Sequence, residues 1–169
     1  MTTLDAEELL SSIAQDLEKF TAENNIDQPL FIGIRTGGVW VAKHLQKLLN
    51  NQSALGILDI SFYRDDFSRV GLQPTVKPSQ LPLSVDDRHI VLVDDVLHTG
   101  RTVRAALNEI FDYGRPASVC LAVLVQRSGR ELPIQADLVG KTLDLKATQH
   151  VKLSRMEDAQ KSLLLEVVG

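Results

Sequence analysis

Ile90-Val91-Leu92-Val93-Asp94-Asp95-Val96-Leu97-His98-Thr99-Gly100-Arg101-Thr102 is the stretch on which the reading of this chain turns. Its first four residues are apolar without a break, as a central strand covered on both faces of a parallel sheet requires. The pattern predicts a strand over Ile90–Val93, a turn from Asp94 to Gly100, and a helix over Arg101–Phe111 with Val103, Ala106, Leu107 and Ile110 on one face. In open α/β sheets, ligands bind beyond the carboxyl ends of the strands, which is where Asp94 and Asp95 fall. Adjacent carboxylates point to different sides of the chain. They suit two neighbouring hydroxyls, or Mg2+ approached through water, better than a tight metal cage. Thr99, Gly100 and Thr102 then supply hydroxyls and an unhindered backbone at a helix start, where N–H groups and the helix dipole favour a phosphate. Acceptors for sugar hydroxyls followed by donors for a phosphate match a ribose 5-phosphate.

Working outward, the rest of the chain alternates in the same way. Asp5 and Glu8 are spaced as a capping box, and Leu9, Ile13, Leu17 and Phe20 recur at helical spacing, which predicts a helix over about residues 5–24. Leu30 to Ile34 reads as a buried strand running into Arg35-Thr36-Gly37-Gly38, followed by a helix over Val39–Leu49 with Val41, Leu45 and Leu48 inward. Gly56 to Tyr63 and Ser118 to Val125 read as further strands. Between about 64 and 83 the apolar pattern collapses and prolines interrupt it, as in a functional lid. Strands alternating with helices predict an α/β fold with a mostly parallel sheet flanked by helices. Val139, Val151–Leu153 and Leu163–Val168 suggest short strands of a small antiparallel hood over the sheet's end.

Composition narrows the classes. At 169 residues the chain suits one α/β domain rather than two, and 44% apolar with 24% charged residues is ordinary for a soluble protein. No apolar run approaches a membrane span, and acids at positions 5, 7 and 8 contradict a secretory signal. Cys120 is the lone cysteine, so neither a disulfide framework nor a cysteine metal site is available, and a cytoplasmic protein is expected. A net charge of −4 argues against a chain built mainly to coat nucleic acid. Arg127, Arg130, Lys141, Lys146 and Lys152 read as solvated surface, and Trp40 as helix packing.

The run at 90–102 resembles the phosphoribosyl-diphosphate signature of type I phosphoribosyltransferases: four apolar residues, two acids, then a Thr-Gly phosphate loop. The resemblance implies that Asp94 and Asp95 hold the ribose hydroxyls and that Val96, Leu97, His98, Thr99, Gly100, Arg101 and Thr102 wrap the 5-phosphate. Gly33-Ile34-Arg35-Thr36-Gly37-Gly38 is similar to the family's pyrophosphate loop, which assigns Arg35, Thr36, Gly37 and Gly38 to the diphosphate. Tyr63-Arg64-Asp65-Asp66 is similar to the entry of its mobile loop, about 64–83, with Arg64 closing over the reactants as a catalytic residue. Gly114-Arg115-Pro116-Ala117-Ser118, Arg130-Glu131-Leu132-Pro133-Ile134 and Ala136-Asp137 through Lys141 extend the match over nearly the whole chain. Together these resemble the bifunctional pyrimidine operon attenuation protein / uracil phosphoribosyltransferase (PyrR) family.

Membership in that family implies a single domain over 1–169 with a hood of about 127–169, and transfer of phosphoribose to uracil to give UMP and diphosphate. Mg2+ is the implied cofactor, 5-phosphoribosyl-1-diphosphate and uracil the substrates, and Val139 in the hood a residue framing the base. A homo-oligomer, a dimer, is expected. Purine relatives place Asp where this chain has His98, and pyrimidine relatives commonly Tyr, so purine specificity is disfavoured; the His98 ring is expected to face solvent rather than act as a base. The alternative implied by the same family is a UMP- or UTP-sensing RNA-binding attenuation protein with pyrimidine-operon messenger RNA as partner. Gly37 departs from the Arg often found in the family's pyrophosphate loop, and Gln135 from a basic residue.

Overall fold

Asp5 begins the first helix as expected: its side chain accepts from the N–H groups of Glu7 and Glu8 at 3.1 and 3.2 Å. The structure, a computed structural model, describes residues 1–60, 79–157 and 162–169. In chain order the described elements are β1 (Thr2–Leu4), α1 (Ala6–Glu23), β2 (Leu30–Ile34), α2 (Gly37–Leu48), β3 (Gly56–Leu58), β4 (His89–Leu97), α3 (Arg101–Tyr113), β5 (Ser118–Arg127), β6 (Leu138–Leu143), β7 (His150–Arg155) and β8 (Leu163–Val168). Two sheets result: five parallel strands in the order β3-β2-β4-β5-β6, and three antiparallel strands in the order β1-β8-β7.

The side-chain period of a strand explains why the central strands read as unbroken apolar runs. Phe31, Val91, Val93, Cys120, Ala122 and Leu124 face one side, where they bury Leu10, Ile13, Leu17, Val41, Ala42 and Leu45 of α1 and α2. Their neighbours Leu30, Ile32, Ile34, Ile90, Leu92, Leu121 and Val123 face the other side, against Val103, Ala106 and Ile110 of α3. Leu48, expected to point inward, is instead half exposed at the last turn of α2.

Several boundaries differ from the sequence expectation: the strand expected over Gly56–Tyr63 ends at Leu58, with 61–63 outside the described residues, α2 starts at Gly37 rather than Val39, and β5 runs on to Arg127. β4 does not stop at Val93: Asp94 pairs with Val123, Val96 with Val125 and Leu97 with Gln126, so the two acids ride on regular strand rather than a turn. The apolar partners Val123 and Val125 continue the ladder past the point where β4 itself turns polar. Val139, grouped from the sequence with the hood strands, belongs to β6, which completes the parallel sheet by pairing with β5. The antiparallel sheet instead recruits Thr2–Leu4, which is too short to carry a periodic signal. Of the expected loop at 64–83, residues 64–78 lie outside the described residues. Gln80 is bridged to Ile57 by two 2.7 Å hydrogen bonds, and the Ser79 hydroxyl donates to Glu109.

One cation ties the two sheets together. Arg127, the last residue of β5, is buried and donates to the carbonyls of Gln149 at 2.6 Å, Lys146 at 3.3 Å and Ser128 at 3.4 Å. Ser128 adds a side-chain bond to the Leu145 carbonyl at 3.1 Å. Together they fix the connection that leads from β6 into β7. Arg127 is therefore internal structure, not the solvated surface residue expected from the sequence.

Replacing Arg127 with Met removes these donors and leaves buried carbonyls under-paired. A loss of about 1–3 kcal/mol is expected in urea denaturation. Cys120 provides a second check. Burial, then the charge of Asp137 and a hydrogen bond to it, push its thiol up to about 12. The raised value keeps the thiol neutral throughout the ordinary pH range, so iodoacetamide should label Cys120 at pH 8 only after unfolding.

Candidate active site

The carboxyl ends of β2 and β4 place two loops side by side. From β2 the chain runs through Arg35 and Thr36, joined by a cis peptide, into α2; from β4 it runs through His98 to Gly100 into α3. Asp94 is buried, with 6% of its surface exposed, and Asp95 is half buried. The Asp94 carboxylate accepts the Asp95 N–H at 2.9 Å and the Asp95 carboxylate accepts the Val96 N–H at 2.9 Å. Each acid is thereby held in a fixed orientation by the backbone that follows it.

Glycine at 37 and 38 is demanded by close approach. A Cβ on Gly38 would stand 2.5 Å from the Val93 carbonyl oxygen and 3.0 Å from the Asp94 Cα; one on Gly37 would stand 2.3 Å from Asp95 Oδ2. The first turn of α2 thus lies directly on the strand end that bears the acids. Neither site helix is capped by its own N-cap side chain: Thr36 makes no such bond, and Gly100 has none to make. Gly100 adopts φ 96°, a left-handed conformation natural to glycine, and the Thr99 hydroxyl takes the Arg101 N–H at 3.2 Å. Two helix amino ends, with their positive dipoles, flank one pair of carboxylates.

A cleft of about 420 Å³ opens here, lined by Thr36, Gly37, Trp40, Asp94, Asp95, Val96, Thr102, Val151 and Leu153. Beside it Val96 to Gly100, with Thr102 and Val103, enclose a cup of about 110 Å³. Thr36, Gly37, Asp94, Asp95, Val96, Leu97, His98, Thr99, Gly100 and Thr102 therefore converge on two adjoining hollows. Gly38 sits buried just beneath, while Arg35 is half buried and lines neither. Arg101 is exposed and outside both linings, 3.0 Å from Glu131. His98 is exposed. Val139 does not line the cleft; it packs with Ile134 and Ala136 on the α3 side. Arg64 lies outside the described residues.

Trp40, Val151 and Leu153, which sequence reasoning did not assign to the site, supply the cleft's apolar wall. Trp40 had a signal, since it falls one turn into the helix behind the glycine loop. The β7 pair had none, because only the folding of the hood brings β7 to the site. Among the described residues no group of three His, Cys, Asp or Glu side chains could hold a metal. The donor set of Asp94 and Asp95 with the hydroxyls of Thr36 and Thr102 fits a hydrated Mg2+ shared with a phosphorylated ligand, not a metal held by protein alone.

The two glycines should separate by phenotype. Gly38→Ala forces backbone apart and is expected to lower the melting temperature by several degrees; Gly37→Ala first meets the Asp95 side chain, should cost less stability, and should displace that carboxylate from the cleft. Thermal melts, alongside calorimetric titration with 5-phosphoribosyl-1-diphosphate, the ligand that the sequence resemblance implies, distinguish the two.

Known proteins with this arrangement agree on its class. The family model of the phosphoribosyl transferase domain matches residues 2–155. A Bifunctional protein PyrR from Nitrosococcus oceani is 58% identical over 163 residues, covering 95% of this chain and 92% of that protein. One from Pseudomonas aeruginosa is 58% identical over 146 residues, 86% of each chain. Among solved structures, a hypoxanthine phosphoribosyltransferase from Trypanosoma cruzi superposes with a TM-score of 0.66 at 23% identity, over 85% of this chain and 78% of that one. One from Staphylococcus aureus gives 0.63 at 21%, over 83% and 76%; at these identities the likeness speaks for the fold. With a type I phosphoribosyltransferase fold, a strand end carrying paired acids between two helix amino ends, and these relatives, the chain belongs to the phosphoribosyl transferase domain family, in the branch of the bifunctional PyrR proteins.

Proposed function

We propose that this pentosyl transferase uses uracil, joining its N1 to C1′ of 5-phosphoribosyl-1-diphosphate and releasing diphosphate to give UMP. The observation that carries the reading is the convergence of the two helix amino ends of α2 and α3 on Asp94 and Asp95, at one edge of a 420 Å³ cleft. Phosphate-bearing groups at both ends of a ribose need donors on both sides of its hydroxyls, and this is that spacing of chemistry. The PyrR relatives support the pyrimidine assignment.

In this reading Asp94 and Asp95 accept hydrogen bonds from the ribose 2′- and 3′-hydroxyls. Val96, Leu97, His98, Thr99, Gly100, Arg101 and Thr102 surround the 5-phosphate, with the cup as its seat. Thr36 and the first-turn N–H groups at Gly37 and Gly38, with Arg35 behind them, receive the diphosphate as its negative charge grows on leaving. Asp94 and Asp95, with the Thr36 and Thr102 hydroxyls, would hold a hydrated Mg2+, which would supply neutralisation of charge on the diphosphate. The C1′–oxygen bond breaks with its electron pair leaving on the diphosphate, the N1–C1′ bond forms, and the N1 proton passes to the departing diphosphate. Trp40, Val151 and Leu153 give the base an apolar wall and exclude water from the activated sugar. Val139, which is outside the cleft lining, is assigned to framing the base from its sequence position alone. Arg64 is assigned to closure over the reactants from its sequence position alone.

A second role, as a UMP- or UTP-sensing RNA-binding protein acting on pyrimidine-operon messenger RNA, is favoured by the word "Bifunctional" in the relatives' names. Lys141, Lys146 and Lys152 are exposed, whereas Arg127 is committed internally. A dimer would double that set of exposed cations.

With 5-phosphoribosyl-1-diphosphate and Mg2+, the protein should form a nucleotide from uracil and not from orotate, hypoxanthine or guanine. Asp94→Asn should lower kcat/KM about 10- to 100-fold, the effect of losing a hydrogen bond to a charged acceptor. Chelation of Mg2+ should abolish turnover and its return restore it. No product from any base, with UMP still bound and RNA binding falling steeply with salt, would put the regulator in first place.

A further inference from the structure

A turn that seats a phosphate must face its N–H groups inward and its carbonyls outward, because a carbonyl oxygen repels the anion. In the loop after β4 the outward carbonyls are held by one other segment. The His98 carbonyl accepts from Arg130 Nε at 3.1 Å, and the Thr99 carbonyl accepts from both the Glu131 and the Leu132 N–H at 3.0 Å. Arg130 is itself braced across its own turn, donating from Nη1 to the Ile134 carbonyl, and the Ile134 N–H closes on Leu132 at 2.7 Å. Packing completes the fit. A Cβ on Gly100 would touch Ile134 and Leu132 at 3.1 and 3.4 Å, and one on Gly129 would stand 2.7 Å from His98 Nε2. Gly129 holds φ 108°, so the His98 ring sits over a position that only glycine fills without strain. The Arg101–Glu131 pair is half exposed and adds little energy to this arrangement.

The geometry points to residues 129–134 as a clamp that presets the phosphate loop, with Arg130 as its positioning residue: by holding the His98 carbonyl outward it keeps the cup's N–H groups aimed at the 5-phosphate. This rests on the reading of residues 96–102 as the phosphate seat. It also gives Arg130 a role that its sequence neighbours, Gly129 and Glu131, do not suggest. Arg130 does not touch the substrate; it acts through the backbone of His98.

The test uses Arg130→Ala and Arg130→Lys in the full chain, with two measurements. One is steady-state UMP formation with each substrate varied in turn; the other is calorimetric binding of ribose 5-phosphate, which involves neither base nor diphosphate. Arg130→Ala should raise the KM for 5-phosphoribosyl-1-diphosphate and the Kd for ribose 5-phosphate about ten-fold, with the KM for uracil unchanged within two-fold. Arg130→Lys, able to reach one carbonyl but not both, should fall between, and added guanidinium should recover part of the loss in Arg130→Ala. Unchanged ribose 5-phosphate binding in Arg130→Ala, or an equal loss in the affinities for both substrates, overturns the clamp. Should Arg130→Ala not fold, Arg130→Lys decides by the same two readings. A wild-type protein that binds ribose 5-phosphate but makes no nucleotide refutes the transferase reading alone, and the clamp is then judged by the binding arm.

Discussion

At Gly38 the first turn of α2 rests on the backbone of β4 with no side chain between them, and the site depends on that contact. Gly38 brings backbone against the Val93 carbonyl, and Gly37 brings it against the Asp95 carboxylate. Any larger residue at 38 would lift the helix from the strand, and its amino end would move away from the acids. Because the sheet beneath is filled on both faces, β4 cannot retreat to make room. Helix position, carboxylate position and cleft width are therefore one constraint expressed three times.

Around that contact the protein distributes its polar groups in two ways. On the cleft side, neither helix takes a bond from its own N-cap side chain, in contrast to α1, which Asp5 caps; at α3 only the preceding Thr99 hydroxyl takes the first N–H. On the outer side, cations are spent on carbonyls. Arg127 fixes the connection into β7 and Arg130 the back of the phosphate loop, each using a guanidinium's several donors to join segments that share no ladder. Donors that would be wasted on the surface instead set the shape of the two hollows.

The hood joins chemistry to architecture. β7 reaches the cleft with Val151 and Leu153 because β8 pairs with it and Arg127 fixes the connection that leads into it, while β1, from the other end of the chain, closes the same small sheet. Leu163 and Leu165 sink into the core shared with α1 and α2, so the hood is anchored to the same helix that carries the glycine loop.

The sequence by itself determined the strand–acid–acid–glycine run, the period-2 burial of the central strands, the α1 cap and the loops that converge on the cleft. Each is a local matter, settled by side-chain spacing and by what the backbone needs within a few residues. It misplaced the end of β4, since the ladder is extended by the partner strand β5 and not by residues 94–97 themselves. It placed Val139 in the hood and passed over Val151, Leu153 and Trp40 as site residues, and it read Arg127 and Arg130 as surface. Those assignments depend on which distant segments meet: a β-strand's neighbours and a guanidinium's carbonyl partners leave no periodic trace in their own sequence. Tertiary structure alone decided them, because long-range pairing and burial, not local propensity, choose where such residues go.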